Sequence, residues 1–194
     1  MLNKIITASL GIMTLLLLIT AHAGDIPVDN SSNTQAVMDF GIARGGDKVV
    51  SASFFIGGDS SIHAGDAYYI DFGLLHRFQD SNWSFKTTVG YSFAAIPRYG
   101  GNFSFRRTPL DAIVIYNTGR QHFGIGVTDH MNPRFDADGH GPDVHYNNAA
   151  GLLLQYQYRI FGVRYTYIRY KAWDAPSDPT LDASSLGIFI TMTF

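Results

Sequence analysis

Residues 185–194 read Ser-Leu-Gly-Ile-Phe-Ile-Thr-Met-Thr-Phe and alternate between two chemical types along the chain. Every second position is large and apolar, namely Leu186, Ile188, Ile190, Met192 and Phe194. Successive side chains of a β-strand point to opposite faces, so this stretch predicts a strand with one fully apolar face. The positions between them are mostly Ser, Gly and Thr, which predicts an opposite face of small or polar groups.

The same alternation runs through the rest of the chain after residue 23. Candidate strands are 36–44, 48–56, 62–78, 83–95, 105–117, 122–131, 147–158, 161–172 and 184–194. A bacterial single-chain membrane barrel has an even number of strands. We therefore join the first two segments across Gly45-Gly46-Asp47 and expect the glycines to form a bulge inside one long strand. The result is a prediction of eight strands.

Connection lengths alternate along this strand list. Short connections at 79–82, 118–121 and 159–160 separate longer ones at 57–61, 96–104, 133–146 and 174–183. Short periplasmic turns and long external loops are typical of transmembrane barrels. We therefore predict an all-β fold, an eight-stranded antiparallel up-and-down transmembrane barrel. The N- and C-termini are expected in the periplasm.

A soluble β-sandwich would also produce alternating strands, so the composition of the polar faces decides between the two. Those faces carry Gly, Ser, Thr and Gln with few charges, and only 15% of the 194 residues are charged. A solvated sheet face usually carries many more charged residues. No apolar run after residue 23 approaches the roughly 20 residues that a membrane helix needs. The composition favours a barrel with a narrow closed interior.

Residues 1–23 have the features of a cleaved signal peptide: Lys4, an apolar stretch from Ile5 to Thr20, and Ala21-His22-Ala23 before Gly24. The barrel domain is then 24–194, with 13 basic and 16 acidic residues and a net charge of -3. This acidic balance argues against nucleic-acid binding. The lack of cysteine excludes disulfides and thiolate chemistry. These features together indicate an exported protein of a bacterial envelope.

The alternating strands, the Gly-Gly-Asp of the first strand and the terminal Phe194 resemble a known class. The chain is similar to small eight-stranded outer-membrane β-barrels, the general class that includes the outer membrane proteins A, X and W. The resemblance implies a multi-pass protein of the bacterial outer membrane, in contact with its lipid. It also implies that Leu186, Ile188, Ile190, Met192 and Phe194 form the signal that the barrel-assembly machinery recognises during insertion.

Five charged residues fall on the inward face of the predicted strands: Asp39, Asp71, Lys86, Asp111 and Arg164. Ionised groups inside a narrow barrel are expensive unless they are paired. We expect a structural network in which Asp71 pairs with Lys86, and Asp39 or Asp111 pairs with Arg164. The alternative is a path for protons or small ions through a charged lumen.

Enzymatic outer-membrane barrels are a further class to consider, because the last two strands partly resemble those of lipid A deacylases. Those enzymes carry a His-x-Ser-Asn pattern on the penultimate strand, where this chain reads Ile168-Arg169-Tyr170-Lys171-Ala172. All 16 acidic residues are aspartate, so the glutamate typical of that triad is missing as well. His130 stands between Asp129 and Asn132, but adjacent strand residues point to opposite faces. We expect a polar rim residue at His130 and no catalytic site.

The loop at 133–146 contains Asp136, Asp138, His140, Asp143 and His145. Their spacing is also compatible with the ligands of a calcium or zinc site. Loops are rich in Asp and Gly for conformational reasons, so a solvated loop is the favoured interpretation. The sequence therefore predicts neither a metal nor a cofactor.

Four cations lie near the predicted outer boundary: Arg106, Arg107, Arg169 and Lys171. We expect them to hold lipopolysaccharide phosphates through charge-assisted hydrogen bonds, or else to extend above the apolar band into water.

The predicted function is a non-enzymatic structural or surface-interaction role in the envelope. One alternative is transport of a small hydrophobic compound through a lateral opening in the barrel wall. Pro109 would create such an opening because it cannot donate a hydrogen bond to the neighbouring strand, or else it marks where a strand begins. A lipid A-modifying enzyme is the third. The oligomeric state stays open.

Overall fold

The computed structural model describes residues 33–54, 58–98, 101–139, 141–173 and 180–194, all in β-strands and their connections. The predicted signal segment 1–23 lies outside these ranges. The strands are β1 Thr34–Arg44, β2 Lys48–Phe54, β3 Gly58–His63, β4 Ala67–Arg77, β5 Trp83–Arg98, β6 Gly101–Thr118, β7 Gln121–Asp136, β8 Val144–His145, β9 Ala149–Tyr158, β10 Phe161–Tyr167, β11 Arg169–Tyr170, β12 Leu181–Asp182 and β13 Ser185–Thr193. No helix with the length and hydropathy to cross a membrane occurs in the described ranges.

Eight of these strands close into a ring. The order is β1-β4-β5-β6-β7-β9-β10-β13, and β13 pairs antiparallel with β1 to complete the circle. Neighbouring strands are connected by the turns at 78–82, 119–120 and 159–160 at one end, which we call the turn end. The opposite end, where the longer connections lie, we call the loop end. Closure removes every unpaired strand edge from the barrel. The predicted eight-stranded antiparallel barrel is confirmed.

The prediction of one long first strand is wrong, because β1 ends at Arg44 and the next residues leave the barrel. Gly45 and Gly46 have φ angles of 147° and 79°, a region that only glycine adopts freely. A Cβ on Gly45 would lie 2.5 Å from the carbonyl oxygen of Ser184, so the close approach also requires glycine. The chain after this bend forms the hairpin β2-β3, a separate two-stranded sheet.

Other loop-end boundaries also differ from prediction. Residues 96–104 were expected to be a loop, yet β5 and β6 continue pairing from Ile96 and Phe103 to Arg98 and Gly101. The strand predicted at 161–172 instead stops at Tyr167, and the short pair β11-β12 follows it. Outside the membrane the chain needs no particular face pattern, so alternation is a weak guide to where pairing stops.

The outside of the ring is an unbroken apolar band. Each barrel strand presents an exposed large apolar residue there: Ile42, Phe72, Val89, Val114, Ile125, Leu154, Val163 and Ile188. Aromatic rings border this band near the turn end, where the Trp83 and Tyr116 centroids lie 5.0 Å apart and those of Phe123 and Tyr156 lie 5.1 Å apart. A band of this extent is incompatible with a soluble monomer and suits contact with lipid.

Candidate functional site

The inside of the barrel holds the five charged residues that alternation placed on the inward face. Asp39 lies on β1, Asp71 on β4, Lys86 on β5, Asp111 on β6 and Arg164 on β10, and each is buried. Asp39 and Asp71 stand directly opposite each other across the β1-β4 pairing. Two carboxylates at this spacing repel each other unless cations lie between them.

Arg164 is the centre of this interior network. Its Nη2 donates to Asp39 Oδ2 at 2.8 Å, and its Nη1 donates to Asp71 Oδ2 at 3.0 Å and to Asp111 Oδ2 at 3.4 Å. One guanidinium therefore connects carboxylates from three different strands. Its planar fork of donors is suited to this task, which a single ammonium could not perform.

Lys86 pairs with Asp39, with 2.8 Å between Nζ and Oδ2, and not with Asp71 as expected from strand adjacency. In the β4-β5 register Lys86 stands opposite Leu75, whereas Asp71 stands opposite Gly90. That offset of four residues separates Lys86 from Asp71 by roughly 13 Å along the strand. The lysine extends past β4 to Asp39 on β1, a contact that strand register alone does not specify.

Two polar neighbours that the sequence reasoning missed complete the hydrogen bonding. The hydroxyl of Thr191 donates to Asp39 Oδ1 at 2.7 Å, and Gln155 Oε1 accepts from Arg164 Nη2 at 3.4 Å. Both residues occupy inward positions on their strands, so the alternation rule could have found them. Asp39 thereby accepts three hydrogen bonds in a site with no solvent exposure.

Aromatic rings and glycines enclose the Arg164 guanidinium. The ring centroids of Phe189 and Tyr69 lie 5.0 Å and 5.5 Å from its Cζ. Each ring fits over a glycine: a Cβ on Gly162 would lie 2.3 Å from Phe189 Cζ, and one on Gly41 would lie 2.2 Å from Tyr69 Cζ. The inward glycines therefore provide the space in which aromatic rings cover the network.

Apolar clusters close the lumen on both sides of the network. Toward the turn end, Ile113, Ile115 and Leu153 are buried together with Leu75 packed against them. Toward the loop end lies a larger cluster that includes Ile62, Phe103, Phe105, Phe135, Ile168 and Tyr170. A cavity of about 40 Å³ remains beside the network. The interior is filled with side chains, as expected for a barrel of eight strands.

His130 was expected at the polar rim and instead lies inside, with 6% of its surface exposed. Its Nδ1 shares a hydrogen bond with the hydroxyl of Tyr170, which is fully buried. Asp129 lies on the other face of β7, as strand geometry requires. The left-handed Asn132, with φ of 50°, produces a bulge that shifts the β6-β7 register just beyond this point.

Pro109 interrupts strand pairing on one side of β6 only. It stands opposite His130 inside a β6-β7 pairing that runs from Ser104 to Thr118 with a single register shift. In the β5-β6 register the pairing passes from Val89–Leu110 to Ser92–Arg107 and skips Thr108 and Pro109. The strand β6 begins at Gly101, so Pro109 is not a strand start. The interpretation of Pro109 as a strand start is therefore wrong, whereas a local gap in pairing is present at Pro109 on the β5 side and not on the β7 side.

The cations predicted to meet phosphates divide into three environments. Arg169 and Lys171 are exposed, and the Arg169 guanidinium lies 5.5 Å from the Tyr167 ring. Arg106 is half-buried and pairs with Asp136 at 2.8 Å. Arg107 lies inside the barrel with 5% exposure, so its inclusion in the outward set is wrong. Adjacent strand residues face opposite sides, which already implied that Arg106 and Arg107 could not both face outward.

An anion of the protein itself lies close to Arg169. Asp182 is its partner in the β11-β12 pairing. Hydrogen bonds from Ser184, and to a smaller extent the charge of Arg169, hold the pKa of Asp182 below its ordinary value. Asp182 therefore stays ionised at neutral pH and places a negative charge near Arg169 at the surface.

The acidic loop uses its carboxylates to fix its own backbone. Asp143 Oδ1 accepts from the amide of Ala137 at 2.8 Å, and Asp136 Oδ1 accepts from the amide of Asp138 at 3.1 Å. His140 lies outside the described residues. Among the residues that are described, no group of three or more His, Asp, Glu or Cys side chains is arranged to hold a metal ion.

The closed ring, its apolar exterior and its polar filled interior define the class: a small eight-stranded transmembrane β-barrel of the outer-membrane type. Neither a protein-family model nor a curated protein matches the sequence.

Solved structures with the same kind of fold are similar at low identity. Neisserial surface protein A aligns with 14% identity and a TM-score of 0.46, covering 84% of this chain and 98% of that one. The N-terminal β-barrel domain of Pseudomonas aeruginosa OprF gives 12% identity and 0.39, covering 83% and 98%. The Yersinia pestis outer membrane protein Ail gives 11% identity and 0.38, covering 81% and 99%.

Proposed function

We propose that this protein is a non-enzymatic structural barrel of the bacterial outer membrane whose loop end contacts lipopolysaccharide. The observation that carries the proposal is the closed interior, in which ion pairs between Arg164 and three carboxylates connect four strands. Such a network fixes strand register and leaves no water-filled passage. Both ends of the described chain, Asn33 and Phe194, lie at the turn end, which we place in the periplasm.

The strand β13 is both the closing strand and the proposed recognition signal for the barrel-assembly machinery. It pairs with β1 on one side and β10 on the other. Its outward row is strongly exposed at Leu186, Ile188 and Phe194, with Ile190 and Met192 half-buried between them. An aromatic terminus and an apolar row on the last strand would remain available to the machinery until the ring closes.

Lipopolysaccharide is the proposed partner because exposed cations lie where the apolar band ends. Arg169 and Lys171 are two residues apart in a region where side chains alternate, so both project from the same outer face. A phosphate is the anion that an arginine fork and an ammonium bind best at a membrane boundary. Arg106 carries less weight in this role because Asp136 already holds it.

The test replaces both exposed cations by serine, as Arg169→Ser with Lys171→Ser. Each cation near an anionic surface contributes about 1 kcal/mol, so removing both should lower the affinity for lipopolysaccharide by about thirtyfold and reduce the amount that co-purifies. The matched control is Arg77→Ser with Arg120→Ser, two exposed arginines at the turn end. Equal lipopolysaccharide content in the test variant, the control and the parent protein would refute this partner.

A further inference from the structure

The segment that leaves the barrel after β1 folds over its loop end as a cap, which we define as residues 45–54 and 58–66. Its buried residues Ile62 and Ala64 pack in the same cluster as Phe105 and Tyr170 of the barrel. A backbone hydrogen bond from Asp47 N to Asp182 O, at 2.7 Å, ties the base of the cap to the loop end. Another, from Gly65 N to Gly45 O at 2.9 Å, joins the two ends of the cap to each other.

One barrel side chain, Arg107, holds the far side of this cap from within. Its Nη1 donates to the carbonyl oxygens of Ala64 at 2.9 Å and Asp66 at 3.4 Å, and its Nη2 donates to that of Gly65 at 3.3 Å. Three consecutive carbonyls of the cap therefore converge on one buried guanidinium. Backbone carbonyls can release such a cation without leaving a buried carboxylate unpaired, which makes this contact easier to open than the ion pairs below it.

A polar chamber of about 40 Å³ lies inside the barrel next to Arg107, lined by this residue together with Asp71, Asp111, Thr128 and Arg164. Each of these residues has a buried polar atom without a hydrogen-bond partner among the described residues: Arg107 Nε, Asp71 Oδ1, Asp111 Oδ1, Thr128 Oγ1 and Arg164 Nε. A buried water needs about 10–15 Å³ and two to four polar partners. Donors and acceptors are mixed in this chamber, which suits ordered water better than a bare cation.

Charge connects the chamber to the cap as well. The interior network contains the carboxylates of Asp39, Asp71 and Asp111 against the cations of Lys86 and Arg164, a formal sum of -1. Arg107 lines the same chamber and brings this sum to zero. The net negative charge of the network therefore favours a cation at the position from which Arg107 donates to the cap carbonyls.

We propose that Arg107 is a latch that, together with the packing of Ile62 and Ala64 in the loop-end cluster, keeps the cap closed over a hydrated polar chamber, so that loss of this side chain raises the fraction of molecules in which the chamber is open to the loop-end solvent. The network and the Ile113 cluster beneath it stay closed in both states. The cap therefore controls access to the chamber and creates no passage through the barrel.

A single cysteine tests the latch cleanly because the natural chain has none. Thr128→Cys places a thiol in the chamber at a side chain that is 2% exposed. We expect a small water-soluble methanethiosulfonate reagent to label it slowly in the otherwise unchanged protein. Adding Arg107→Ala should raise the labelling rate by about tenfold or more. The closed state then loses the charged hydrogen bonds from Arg107 to the cap, so the equilibrium shifts toward the open state.

The matched control adds Arg106→Ala instead, which removes the neighbouring outward arginine, and should leave the labelling rate unchanged. Labelling of the Arg107→Ala protein at the rate of Thr128→Cys alone, with the barrel folded, would overturn the proposal. If the alanine variant does not fold, the labelling rate of the Arg107→Lys variant is measured instead. Lysine keeps the charge but presents no fork, so it should label at an intermediate rate, and a rate equal to that of Thr128→Cys alone would overturn the latch equally.

Discussion

Replacing Asp39 by asparagine should lower the free energy of unfolding by about 3–5 kcal/mol, the cost of removing one partner from a buried ion pair. Lys86 is 1% exposed, and its ammonium lies 2.8 Å from the carboxylate that would be lost. Arg164 would lose one of its three carboxylates at the same time. Reversible urea unfolding in lipid vesicles measures this difference.

Two further variants separate a charge effect from general damage. Asp80→Asn changes the same functional group on an exposed turn and should stay within about 0.5 kcal/mol of the parent protein. Adding Lys86→Met to Asp39→Asn removes the stranded cation and should restore much of the lost stability. A double variant no more stable than Asp39→Asn alone would contradict the assigned role of the Asp39–Lys86 pair.

Replacing Gly41 by alanine should cost about 1–3 kcal/mol, although it adds a single methyl group. The new Cβ would lie 2.2 Å from Tyr69 Cζ and 2.6 Å from the carbonyl oxygen of Ile188. The ring could move only by leaving the Arg164 guanidinium, and the carbonyl belongs to the β1-β13 pairing that closes the ring. Both routes of relief damage the structure.

The matched control for this prediction is Gly141→Ala, where the nearest atom to a new Cβ is Ala137 Cβ at 3.7 Å. Its unfolding free energy should stay close to that of the parent protein. If the same urea titrations give Gly41→Ala and Gly141→Ala equal stability, then the glycine does not make room for the ring over Arg164.

The barrel was predictable from the sequence because lipid imposes a strict rule on every spanning strand. The alternation at Leu186 to Phe194 and at Trp83 to Phe93 follows from that rule, and so does the inward position of all five network residues. The pairing of Lys86 was not predictable in this way, because partners across a lumen depend on tilt and stagger, which a one-dimensional pattern does not contain.

The loop end was less predictable for a different reason. The two glycines after Arg44 could be a bulge within a strand or the exit from the barrel, and their dihedral freedom permits both. Arg107 was placed outward against the alternation that separates it from Arg106, and His130 is buried because Tyr170 of the loop-end cluster covers it. Tertiary folding of the cap, which has no lipid-facing pattern, decides these features.

The central claim is that this barrel is closed, and single-molecule conductance in a planar lipid bilayer tests it most directly. The full native protein, with its insertion verified by protease protection in vesicles of the same lipid, should give no discrete conductance steps because ion pairs and two apolar clusters fill its lumen. Stable ohmic steps from the inserted protein would contradict the closed interior and the structural role proposed from it.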